Sequence, residues 1–229
     1  MKRTFQCAFA AAALLVSSGA WAQTFGEKGT IAISAERLFG FTYDSGTTTQ
    51  NGQDRSDHVT GLSLLSSPVS TSLGNAVWGG YGSPRVAGDY FLIDKLSLGA
   101  AIGYAHWSLN HQEALGNTET STSGDSFTFA PRVGYLINFT DVIGFWPRAG
   151  FTYRTFSFEQ ASGHDLALTL EAPFTFAPIP HVVFWAGPTL DLGLSGSQSF
   201  ENMNGTKTSI DFNATGFGLQ TALLVYFGT

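Results

Sequence analysis

Two groups of side chains in this chain have the types and spacing for chemistry. His106 and Ser108 flank Trp107. On a strand they would project from one face, a base beside a nucleophile, which is the pairing that hydrolytic acyl transfer uses. Glu113 or Glu119 would then be the group that orients the imidazole. The second group is scattered along the chain: Glu36, Arg85, Asp89, Arg132, Arg148, Glu171 and Asp191. Guanidiniums and carboxylates brought together out of water form strong, charge-assisted pairs, so this set points to a structural ion network. His58, His111 and His164 are the raw material for a surface metal site. They fall in separate polar segments, where histidines are ordinarily solvated, and no metal or other cofactor is assigned. Cys7 is the one cysteine, so disulfides and Cys-based metal centres are excluded.

What these residues can do depends on the elements that hold them. From Asp125 to Asn138 the odd positions after Asp125 read Phe, Phe, Pro, Val, Tyr, Ile and the even ones Ser, Thr, Ala, Arg, Gly, Leu, Asn. A strand sends alternate side chains to opposite faces, so one face is aromatic and the other small, polar and charged. The same alternation returns over 143–153, 165–176 and 181–195. No segment keeps a helical apolar period, and no mature segment is long and apolar enough for a membrane helix. Short connections at 94–95, 138–141 and 177–180 alternate with longer polar ones near 44–82, 109–124, 159–163 and 196–207. Four long and three short connections join eight strands. Short periplasmic turns at one end and long extracellular loops at the other are the layout of an all-β, antiparallel, up-and-down transmembrane barrel. The segment 58–67 inside the first long loop offers a ten-strand alternative.

The composition decides which face is outside. Charged residues make up only 12% of the chain, beside 27 glycines and 20 phenylalanines, and soluble domains carry about twice that charge. The apolar face is nearly continuous, and its aromatic residues form two bands. Phe41, Tyr43, Tyr104, Phe127 and Tyr153 lie toward the loops, and Tyr90, Tyr135, Phe145, Phe176, Phe184 and Phe227 toward the turns. Such bands match the two headgroup regions of a bilayer, so the apolar face is expected to meet lipid. Three features break the pattern. Arg37 falls in register with the lipid-facing set unless a bulge near Glu36–Arg37 turns it inward. The last strand changes phase, as a bulge near Gly216 would explain. Prolines at 84, 131, 147, 173 and 188 interrupt ladders that a closed barrel needs.

The N-terminus sets the compartment. Lys2 and Arg3 precede a short apolar run from Cys7 to Val16, and Ala20-Trp21-Ala22 offers a small-residue cleavage site. This is the layout of a secretory signal peptide over 1–22, followed by a single barrel domain over 23–229. Cleavage removes two of the 11 basic residues and none of the 17 acidic ones. The acidic balance excludes nucleic acid as a partner.

The segments Ile33–Phe41, Ala130–Tyr135, Trp146–Tyr153 and Leu223–Phe227 resemble those of small Gram-negative outer-membrane β-barrel proteins of the OmpA/OmpX-like superfamily, over the whole mature chain. The resemblance implies residence in the outer membrane, among its lipid and lipopolysaccharide. It also implies insertion by the barrel-assembly machinery, which usually reads a terminal aromatic residue; here Gly228 and Thr229 follow Phe227. A monomer is expected.

By alternation, Glu36, Arg85, Arg132, Arg148, Glu171 and Gln220 point inward at a similar depth, with Asp89 and Asp191 nearby. An eight-stranded barrel has room inside for side chains alone, so these charges must pair and plug the lumen. The expected role is non-catalytic: envelope integrity, or surface contact through polar loops. A narrow pore for small solutes is the alternative. A third reading follows from the lipid-side position of His106 and Ser108, which resembles that of outer-membrane lipid A deacylases.

Overall fold

The computed structural model describes residues 25–50, 53–64, 69–73, 76–79, 81–112, 119–158, 161–201 and 207–228. The segment expected to be a signal peptide lies outside them. The strands are β1 (Ile31–Gln50), β2 (Gln53–Leu64), β3 (Val69–Leu73), β4 (Ala76–Gly79), β5 (Arg85–Ile93), β6 (Leu96–Gln112), β7 (Glu119–Tyr135), β8 (Ile137–Asn138), β9 (Ile143–Phe145), β10 (Arg148–Phe158), β11 (Ala161–Glu171), β12 (Phe174–Ile179), β13 (Val182–Glu201) and β14 (Lys207–Phe227).

The wall runs β1–β5–β6–β7–β10–β11–β13–β14 and closes where β14 meets β1, with Ile31 opposite Phe227. β8, β9 and β12 continue β7, β10 and β11 toward the turn end, so the barrel has eight staves. Every neighbouring pair is antiparallel. β2 does not enter the closed wall. It pairs with the loop-end half of β1, from Phe39 opposite Leu64 to Gln50 opposite Gln53, and β3 and β4 form a separate hairpin. The ten-strand alternative therefore falls.

Four of the five prolines, at 131, 147, 173 and 188, now have a physical account. Arg148 faces Glu171 and Phe145 faces Phe174, so the register runs unbroken across Pro147 and Pro173. A proline cannot donate, but its carbonyl still accepts. Trp146 N–H bonds the Pro173 carbonyl at 2.9 Å, Ala172 N–H that of Pro188 at 3.0 Å, and Tyr135 N–H that of Pro147 at 3.0 Å. Pro131 sits where Gly150 comes close: a Cβ there would lie 2.1 Å from the Pro131 carbonyl.

Two expectations about strand geometry are corrected. β14 keeps one phase through Gly216: Phe212 is buried like Ala214, Ala222, Leu224 and Tyr226. Phe212 is a lumen residue near the loop end, and no bulge is needed. The register shift lies instead in β13, between Leu192 and Gly196. The connection expected to be long at 159–163 is also tight, since Phe158 pairs with Ala161. The hairpin continues beyond the apolar belt, where the outward face is polar, with Ser162 exposed, while Phe156, Ala161 and Asp165 stay buried on the inward face, so polarity there does not mark a loop.

The barrel is inside-out relative to a soluble protein. Ile33, Phe41, Val86, Leu98, Ile102, Phe151, Phe174, Phe184 and Leu219 are roughly half exposed on the outer wall, while arginines, carboxylates, threonines and alanines fill the interior. A belt of this size on every stave is the surface a barrel presents to hydrocarbon.

Candidate functional site: the charged lumen

Side chains fill the lumen at three levels. At mid-height Glu36 accepts one hydrogen bond from Ser34 Oγ, at 3.0 Å, and four from arginines. Its Oε2 takes Arg85 Nε at 2.9 Å and Arg132 Nη1 at 2.7 Å, and its Oε1 takes Arg132 Nη2 at 2.7 Å and Arg148 Nη1 at 2.9 Å. Glu171 pairs with Arg85, lies 2.8 Å from Arg148 Nη2, and is 3.7 Å from both Arg37 and Arg132. Asp89 holds Arg132 from the other side at 3.0 and 2.5 Å. Asp191 lies 3.3 Å from Arg37 Nη1 and accepts from Thr169 at 2.6 Å. Four guanidiniums thus face four carboxylates, and all eight groups are buried.

Strand register assembles this layer. Glu36 is opposite Arg85, Arg148 is opposite Glu171, and Thr169 is opposite Asp191. Asp89 and Arg132 flank Gly99 on either side. A Cβ at Gly99 would lie 2.2 Å from Asp89 Oδ1, so only glycine lets the two charges meet across it. Arg148 is further held between Trp146 and Trp185, its guanidinium 4.7 Å from each ring centre. Trp146 shares its face because it lies two residues earlier, and its indole N–H reaches Ser97 Oγ at 3.2 Å.

Toward the loop end Arg154 pairs with Asp165, its register partner. Tyr81, just before β5, turns into the lumen: its ring lies 4.9 Å from the Arg154 guanidinium and its carbonyl accepts from Arg37 Nη1. Phe156 and Phe212, with ring centres 6.2 Å apart, join Tyr81 there. At the turn end Phe25 inserts from below the strands. Its ring is 5.4 Å from Phe91, 5.4 Å from Trp146 and 5.2 Å from Tyr226. The segment is pinned by Lys95 N–H to the Gly26 carbonyl at 2.7 Å and Lys28 N–H to Asp94 Oδ1 at 2.9 Å.

Sequence parity places Glu36, Arg85, Asp89, Arg132, Arg148, Glu171, Asp191 and Gln220 inward, and the structure puts all of them in the lumen. It adds Arg37, which enters through the bulge between Glu36 and Gly40, and Arg154, Asp165, Tyr81 and Phe25. Arg154 and Asp165 carry a signal, since both follow from the parity and register of their hairpin. Tyr81 and Phe25 lie outside the wall strands, and alternation says nothing about them.

The second candidate group sits on the outer surface above the aromatic band. His106 Nδ1 is 2.9 Å from Asp125 Oδ1, its register partner, and Tyr104 Oη donates to the same oxygen at 2.5 Å. The bonds from Tyr104 and His106 hold the Asp125 carboxyl below its usual range. Asp125 thus stands where Glu113 or Glu119 was expected; Glu119 is opposite Gln112, and Glu113 lies outside the described residues. Ser108 is two residues along β6 from His106, and its side chain also lies outside them. His58 stacks on Tyr43 at 5.8 Å and His164 packs on Tyr153 at 6.3 Å. Among the described residues, no three His, Cys, Asp or Glu side chains converge as metal ligands.

No protein-family model and no curated protein matches this chain. Solved structures similar to it are outer-membrane barrels. The outer membrane protein OprG from Pseudomonas aeruginosa is 13% identical with a TM-score of 0.56, covering 90% of this chain and 100% of its own. The outer membrane protease OmpT from Escherichia coli is 8% identical with a TM-score of 0.47, covering 92% and 100%. The attachment invasion locus protein Ail of Yersinia pestis is 11% identical with a TM-score of 0.36, covering 86% and 99%. The likeness to OprG is one of fold. The chain therefore has the architecture of a Gram-negative outer-membrane barrel, and its apolar belt is the surface by which such a barrel sits in that membrane.

Proposed function

We propose that this protein is a non-catalytic, non-conducting barrel of the outer membrane that contributes to envelope integrity and presents its long polar hairpins outside the cell. The observation that carries this reading is the balance of the mid-lumen layer, in which each of four buried arginines meets at least one of four buried carboxylates. Such a layer leaves little free charge to draw an ion in, and opening it would expose unpaired groups in a desolvated core at high cost. The aromatic seals above and below exclude water from the same path. On this reading the outer-membrane lipid is the surrounding solvent, the barrel-assembly machinery inserts the chain, and the protein acts as a monomer. Planar-bilayer recording of the purified, refolded barrel tests it. Silence is expected, and a stable conductance would establish the narrow-pore alternative instead.

The His106–Asp125 bond favours one second reading, a surface acyl hydrolase acting on lipid A. Asp125 would orient the imidazole and Ser108 would attack. Mass analysis of lipid A from cells overproducing the protein decides it: loss of an acyl chain would establish the hydrolase, and unchanged acylation removes it.

A further inference from the structure

At the outer rim three donor groups of different kinds converge. Tyr104 and His106 are two residues apart on β6, so both project outward, and Asp125 on β7 is the register partner of His106. Asp125 Oδ1 lies 2.5 Å from Tyr104 Oη and 2.9 Å from His106 Nδ1. Two alternate residues and a cross-strand partner make a tripod, held in place by the strands themselves rather than by a loop. Metal bonds of about 2.0–2.1 Å set neighbouring donors about 2.9 Å apart, close to both spacings. The side chains of His106 and Asp125 are 56% and 49% exposed, so an ion reaches the trio from outside with no movement of the barrel. Tyr104 and Asp125 also line a groove of about 380 Å³ that runs on over β10, β11 and β13. Ser157, opposite Asp125 on β10, lies in it, and no lysine or arginine does. The groove therefore sets no fixed positive charge against an incoming cation, and its hydroxyls are placed to hold metal-bound water.

We propose that Tyr104, His106 and Asp125 form a surface site for a cupric ion. The donor set selects the metal. Calcium and magnesium take oxygen ligands, and an imidazole does not suit them. Zinc sites draw on cysteine, histidine and carboxylate, and a phenol oxygen is foreign to that set. Copper(II) stands highest among the divalent ions for nitrogen and oxygen donors and takes them in a tetragonal arrangement, three corners of which this trio supplies. On binding, the Tyr104 phenol gives its proton to solvent and the phenolate oxygen joins the ion. His106 binds through Nδ1 and keeps its ring proton on Nε2, and the Asp125 carboxylate completes the three. Water fills the remaining positions. An imidazole committed to copper is no longer a base, so the occupied site and the hydrolase reading exclude one another.

The test uses the barrel purified without a polyhistidine tag and titrated with copper(II) chloride, with glycine as a competing chelator. Wild type should bind one equivalent, with coupling to a single nitrogen in the electron paramagnetic resonance spectrum and a visible phenolate-to-copper charge-transfer band. Tyr104→Phe should abolish the band and weaken binding about tenfold, a difference of about 1.4 kcal/mol. His106→Ala should remove the nitrogen coupling, and Asp125→Asn should weaken binding as Tyr104→Phe does. His58→Ala combined with His164→Ala should change neither signal, since His58 bonds Ser45 Oγ and His164 packs on Tyr153. Absence of the band in wild type, a band that survives Tyr104→Phe, or binding lost with His58 and His164 overturns the proposal. Displacement of copper by an equal concentration of zinc(II) chloride overturns the choice of metal, and the proposal with it. Heat-dependent gel mobility on the same samples shows that each variant is folded, so loss of the barrel is seen separately from loss of the site.

Discussion

Glu36 and Arg37 are consecutive in sequence, yet both side chains lie buried in the lumen. On a regular strand neighbours point to opposite faces. Here the pairing with β14 slips between Glu36 and Gly40, and Arg37 adopts a φ of 56°. That conformation costs a non-glycine residue about 1–2 kcal/mol. The return is an arginine moved from lipid to the carboxylates of Asp191 and Glu171, where a lipid-facing charge at mid-depth would cost about 2–4 kcal/mol. The second number exceeds the first, so the bulge wins.

Glu36 is the hub of the layer, and its loss should be severe. Glu36→Ala leaves three buried guanidiniums short of a partner, and breaking a buried pair from one side costs about 3–5 kcal/mol. Urea titration of the barrel in phospholipid vesicles, followed by gel mobility, should show a lowered midpoint. A midpoint equal to wild type would mean that water already screens the layer.

Arg148 is held by stacking as well as by charge. Arg148→Lys keeps the charge but loses the planar contacts with Trp146 and Trp185 and the rigid fork that reaches Glu36 and Glu171 together. A loss of about 1–2 kcal/mol is expected in the same titration, smaller than that of Glu36→Ala.

The three seals should act independently. Phe25→Ala opens only the turn-end seal, so bilayer recordings should remain silent. Combining Phe25→Ala, Glu36→Ala and Glu171→Ala with Tyr81→Ala and Phe212→Ala opens all three levels, removes two carboxylates from the balanced layer and leaves its four arginines. If that combined variant folds, judged by heat-dependent gel mobility, it should conduct and select for anions; selection for cations would contradict the assigned charge balance.

Two glycines should respond oppositely to alanine. Gly150 has no room, since a Cβ there meets the Pro131 carbonyl, whereas a Cβ at Gly88 meets nothing within 4 Å. Gly150→Ala should lower the urea midpoint. Gly88→Ala should leave it unchanged or raise stability by about 0.4–1 kcal/mol by reducing the freedom of the unfolded chain.

Much of the site is legible from alternation because a strand's period of two is local. Arg132 must oppose Val133 whatever surrounds it, and an inward Arg132 follows once the aromatic set of β7 is assigned to lipid. The same reasoning places Arg85, Arg148, Glu171 and Asp191. It stops where the chain leaves that period. The polar hairpin around Phe158 and Ala161 resembles a loop in sequence because its outward face lies beyond the apolar belt and is polar rather than apolar. Phe212 resembles a lipid-facing residue out of phase because an apolar side chain in the lumen is unexpected.

By itself the sequence determines which side of the wall most side chains occupy, since that depends on neighbours one and two residues away. Tertiary closure alone decides the partners. Arg37 turns inward only because β14 and the lumen carboxylates make a bulge cheaper than a charge in lipid. Phe25 and Tyr81 enter only because a closed barrel leaves two ends to fill. Glu36 becomes the hub only when registers on separate staves bring Arg85, Arg132 and Arg148 to one depth. Side choice is a local, steric property of the strand, whereas pairing inside a desolvated lumen is a property of the whole closed wall.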